Sequence, residues 1–136
     1  MAFQYSTTVR NAALDAIETA IGTAPTLKIW TGTIPASCAA ADAAGTVLAT
    51  MTLPSDWMAA ASAGAKGILG TWQDTSADAT GTAAHWRLYA SDGTTCHAQG
   101  TVTATGGGGD LTVDNTSFAS GQSFSVTSWT FTEGNS

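Results

Sequence analysis

The hydrophobic pattern changes period once, near Pro25. Before it, Val9, Ala13, Ile17, Ala20 and Ile21 recur at helical spacing, which predicts an amphipathic helix with one shallow, Ala-rich apolar face. Ser6, Thr7 and Thr8 offer N-cap oxygens, and Asp15 and Glu18 fall on other faces. Gly22 suits the position just past the helix end, and Pro25 bars continuation.

After Pro25 the period is two. Leu27, Ile29 and Thr31 alternate with Lys28 and Trp30, and Val47, Ala49, Met51 and Leu53 alternate with their neighbours in 46–53. A short strand is predicted over 68–73, ending near Trp72. In 85–90, His85, Arg87 and Tyr89 oppose Trp86, Leu88 and Ala90. Asp92-Gly93 then supplies the positive φ of a tight reversal, and 95–103 is the return strand. The Gly106–Gly109 run reads as a flexible or tightly turned connection to a short strand at Leu111 and Val113. In the last run, 123–132, the apolar set changes parity from Phe124 and Val126 to Trp129 and Phe131. A bulge would do that, as would a strand whose halves face different layers.

About seven or eight short strands between Gly, Asp, Asn and Ser turns predict a mainly β chain. The expected architecture is an antiparallel β-sandwich or jelly-roll-like barrel with one N-terminal helix. The division expected is 1–24 for the helical segment and 25–136 for the β domain, with no internal repeat of fixed period.

Charge narrows the functional classes. Only 10% of the 136 residues are charged and the net charge is −6. The four cations, Arg10, Lys28, Lys66 and Arg87, are scattered, so no basic patch is expected for nucleic acid or for an anionic membrane. No apolar run approaches the length of a membrane span, and the N-terminus lacks the basic-then-apolar pattern of a secretory leader. Cys38 and Cys96 make no disulfide framework and are expected as free thiols of a chain made in a reducing cytoplasm.

Candidate chemistry is sparse. Cys96 and His97 are adjacent, so a strand would point them to opposite sides. Cys38 and His85 are the remaining soft ligands, but the spacing of a zinc site is missing, and no third group orients a Cys–His nucleophile. Asp74 and Asp78, like Asp110 and Asp114, read as turn-formers rather than an acid–base pair. The glycine run lacks the Lys-Ser/Thr of a phosphate loop. No catalytic, cofactor or metal residue is therefore assigned. The five tryptophans are more informative, because large aromatics fill cores or anchor interfaces. Trp57, in the loop-like Pro54-Ser55-Asp56-Trp57-Met58, is expected either to meet a partner or to cap its own sheet.

The opening MAFQYSTTVRNAALDAIETAIGTAPTLKIWTGTIPASCAAAD, the TLPSDWM motif, the GTAAHWRLYASDGTTCHAQGTV hairpin and the closing GQSFSVTSWTFTEGN resemble small proteins encoded among the structural genes of tailed bacteriophages and prophages. The resemblance runs over nearly the whole chain and implies a virion component. The narrower inference is a cement or decoration protein on the capsid exterior, made in the host cytoplasm and bound to the major capsid protein and to its own copies as a dimer or trimer. Tyr5, Val9, Trp30 and Trp57 are the expected contact residues. A tail- or fibre-associated module that recognises a host glycan is the alternative.

Overall fold

The computed structural model describes residues 3–42 and 44–134. One helix, α1 (Thr7–Ile21), precedes eleven short strands among the described residues. These are β1 (Thr26–Trp30), β2 (Val47–Thr52), β3 (Ala65–Gly67), β4 (Trp72–Asp74), β5 (Gly81–Thr82), β6 (His85–Tyr89), β7 (Cys96–Ala104), β8 (Leu111–Val113), β9 (Ser117–Phe118), β10 (Phe124–Val126) and β11 (Thr130–Thr132). The main sheet has the order β2-β1-β6-β7-β8, and three two-stranded ribbons, β10-β4, β11-β3 and β5-β9, accompany it. The chain is thus mainly β with one helix and a curled, mostly antiparallel sheet. It has more and shorter strands than the pattern predicts, because 68–73 and 123–132 are each broken.

α1 is capped as its sequence dictates. The Ser6 hydroxyl accepts from Val9 N–H at 3.3 Å, and Gly22, at φ 92°, donates back to the Glu18 carbonyl. Only the Ile21 end of the predicted apolar face packs on the body. Leu14 and Ile21 are buried, whereas Val9, Ala13, Ile17 and Ala20 face outward.

The central strands alternate as expected. Leu27 and Ile29 of β1 sit beside Met51 and Ala49 of β2 and Leu88 and Trp86 of β6, all in the core. Trp57, Trp72, Phe118 and Val126 reach the same core from the ribbons and loops. The parity change in the last run has a physical cause: β10 pairs with β4 and β11 with β3, so the two halves belong to different ribbons.

The glycine run does not close a hairpin, as β8 runs parallel to β7 with Val102 opposite Leu111. Parallel neighbours ordinarily need a connection of about a dozen residues. Here the chain turns back in 105–110, with Gly106 and Gly108 at positive φ and Gly107 folded so close that a Cβ would lie 2.7 Å from Thr103 Cβ. Asp110 fixes the return by accepting from both the N–H and the hydroxyl of Thr101.

Candidate functional site

Two regions gather the side chains that the fold alone does not require. The first lies on the outer face of the main sheet. β6 is buried on both faces, because residues 31–42 fold over the side that carries His85, Arg87 and Tyr89. Arg87 Nη2 donates to the carbonyls of Cys38 and Ala40 at 3.0 and 2.9 Å and reaches that of Ser37 at 3.4 Å. Gln99 Nε2 donates to the Pro35 carbonyl at 2.7 Å. His85, fully buried, lies with Nδ1 3.0 Å from the Gly32 carbonyl and Nε2 2.5 Å from Asp42 Oδ2. A carbonyl only accepts, so Nδ1 donates to Gly32. Trp30 stacks on His85 at 6.2 Å.

Chemically this cluster is a latch. The two nitrogens of His85 face the Gly32 carbonyl and the Asp42 carboxylate, and neither faces a nucleophile. A cleft of about 390 Å³ beside it is lined by Lys28, Trp30, Cys38, Arg87, Tyr89 and Cys96, among others. Burial and then the neighbouring Cys38 thiol push the Cys96 thiol up to about 11, which the Arg87 guanidinium only partly offsets. A nucleophilic thiol is tuned the other way. His97 is exposed on the opposite side of β7, and among the described residues no three Cys, His, Asp or Glu side chains are placed to hold a metal.

The second region is α1 and its surroundings. The helix is fastened to the body by polar groups. Lys66 on β3 is 2% exposed, and its Nζ lies 2.6 Å from Asp15 Oδ1 and 2.8 Å from Glu18 Oε2. Burial pulls the Lys66 ammonium down, but the hydrogen bonds to Asp15 and Glu18 outweigh it and leave it raised. Asp15 is lowered by the Lys66 hydrogen bond and by the N–H of Ala61. Arg10 Nε donates to the Glu133 carbonyl at 2.6 Å, and Asn11 Oδ1 accepts from Gly64 N–H. The two carboxylates expected on other faces therefore anchor the helix.

With Arg10, Asp15 and Glu18 all engaged on the body side, the outward face of α1 carries no charged side chain. Val9 is 46% and Ile17 40% exposed, with Ala13 and Ala20 exposed between and after them. Ile17 borders a groove of about 390 Å³ whose apolar walls are Leu14, Trp86, Trp129 and Phe131. Trp86 and Trp129 meet edge to face at 4.7 Å, and the buried Trp86 Nε1–H has no hydrogen-bond partner.

Of the residues singled out from sequence, Tyr5 and Val9 are at the surface on this side, at 47% and 46%. Trp30 is half-buried beneath the latched segment. Trp57 is not on the surface. It is fully buried, donates Nε1–H to the Gly22 carbonyl at 3.0 Å and packs on Trp72, so the loop indole caps its own core. Ile17, Trp129 and Phe131 were not singled out as contact residues, although the parity change at Trp129 and Phe131 marks them as serving a different layer.

No family model, no characterised protein and no solved structure matches the chain. Among the described residues, no helix is long and apolar enough to cross a membrane.

Proposed function

We propose that this chain is a non-catalytic assembly module that docks on another protein through the outer face of α1 and the groove beside it. The observation that carries the reading is the second apolar face of α1: Leu14 and Ile21 pack on the body with Arg10, Asp15 and Glu18 tied down beside them, while Val9 and Ile17 turn to solvent. Covering Val9 and Ile17 contributes about 1.5–3 kcal/mol for each side chain fully buried. The resemblance to structural proteins of tailed phages supplies the setting. The partner is the major capsid protein, the place is the outer surface of the head, and the chain binds there as a dimer or trimer. Binding only the finished shell stabilises it by mass action. The body is read as sandwich-like, with the ribbons forming a second layer over the inner face of the main sheet.

The four cations support a protein partner. Lys66 and Arg87 are buried, Arg10 binds the Glu133 carbonyl, and Lys28 binds the Gly93 carbonyl over the Tyr89 ring. None is grouped for phosphate backbones or anionic headgroups. A glycan site would use a polar groove with an aromatic platform. A groove of about 610 Å³ between β8 and β10 is lined mainly by hydroxyl and amide side chains, with Leu111, Val113, Phe124 and Val126 among them, and no Trp or Tyr faces it.

Immunogold labelling of particles from a host producing the chain tests the location. Label distributed over heads is expected, and label on tails or fibres with bare heads contradicts the proposal.

A further inference from the structure

We infer that Cys38 and Cys96 are a thiol–disulfide exchange site, oxidised as a pair by a low-molecular-weight disulfide to staple segment 31–42 to β7. The inference is independent of the docking proposal and rests on how the latch is built. Cys38 lies in the covering segment and Cys96 at the start of β7, and both side chains line the same cleft. Arg87 holds the two strands of chain together there. Its Nη2 donates to the Cys38 carbonyl at 3.0 Å, and its guanidinium lies against the Cys96 thiol. The Cys96 thiol donates to the Ala98 carbonyl at 3.4 Å, a weak bond that exchange can give up. Both residues are partly exposed and line the cleft, so a small disulfide has access from it. Gln99 and His85 fix the covering segment at Pro35, Gly32 and Asp42, leaving little freedom for Cys38 to drift away.

The exchange balances with oxidised glutathione as co-reactant. Burial keeps the Cys96 thiol protonated, so Cys38 attacks first. Its proton goes to solvent, its sulfur bonds to one glutathione sulfur, and the other leaves as a thiolate that takes up a proton. Cys96 then loses its proton and attacks the Cys38 sulfur of the mixed disulfide, forming the Cys38–Cys96 bond and releasing the second glutathione. Two protein thiols give up two electrons and two protons, and one glutathione disulfide becomes two thiols.

The test treats the purified, folded chain with oxidised glutathione, blocks remaining thiols, and reads mass and peptides. Expected is the loss of two hydrogens with no glutathione retained. Cleavage after Lys28, Lys66 and Arg87 then leaves peptide 29–66 joined to peptide 88–136. Closing a loop of this length should raise Tm by about 10 °C. The variant C96S should stop at one glutathione on Cys38. Wild-type chain that keeps both thiols, retains glutathione on either, or cross-links between molecules overturns the inference.

Discussion

Lys66 is placed almost out of water, and its charge survives there because two carboxylates of α1 close on it. Replacing Lys66 with Ala should cost about 2–3 kcal/mol, and Lys66→Met, which keeps the stem, should cost less. Urea melts read by circular dichroism check both. Lys66 is raised in the fold, so its contribution is fully present below the ordinary 10.5 and lost as pH climbs through the higher folded value. Asp15, Asp92 and Asp110 are lowered. Asp92 goes down to about 2 because the Thr95 hydroxyl and the Thr94 and Thr95 N–H groups donate to it. Their contributions are present above 3.8 and lost as pH falls through the folded values. Stability should therefore hold from neutral pH to about 4, then fall toward 2, and again fall above about 10. A profile that drops between pH 5 and 8 would contradict this assignment. The Lys66 pairing could not be read from the sequence, because an isolated Lys in Gly-Ala-Lys-Gly carries no sign of what it will meet.

Element by element, local chemistry was legible where period and turn residues agree. The helix caps, the Asp92-Gly93 reversal, and the β1, β2, β6 and β7 alternation all follow from it. The division of 123–132 is legible too, since only a change of partner makes the apolar set switch sides. Three features escaped. Segment 31–42 has no period, so nothing announced that it covers the polar face of β6. The glycine run allows a parallel return as readily as a hairpin, and only the close approach to Thr103 decides. Which side of α1 meets the body is not in the apolar spacing, because Lys66, Gly64 and the Glu133 carbonyl draw Asp15, Glu18, Asn11 and Arg10 inward. Two substitutions test the elements. Gly100 lies opposite Trp86, and a Cβ there would sit 2.7 Å from three indole atoms. Gly100→Ala should destabilise by about 1–3 kcal/mol and shift tryptophan fluorescence as Trp86 leaves Trp129. Arg87→Met should leave the core intact and loosen 37–40, seen as faster amide exchange confined to those residues.

At the scale of the whole molecule, a chain with few charges directs most of its cations and both helix carboxylates toward its own body. What remains outward on α1 is Val9, Ala13, Ile17 and Ala20, continuous with the Trp129 and Phe131 groove. Exposed apolar surface of this kind marks an interaction site when it is contiguous. The Cys38–Cys96 pair lies apart from it, on the outer face of the main sheet, so oxidation should leave docking unchanged. The most direct test of the outward face of α1 is co-sedimentation of the chain with expanded heads that lack it, comparing wild type with Val9→Lys/Ile17→Lys. Wild type should bind saturably and the double variant at least tenfold more weakly, with Tm and helix content unchanged. Equal binding by the two proteins, or no binding by wild type, would contradict the docking proposal.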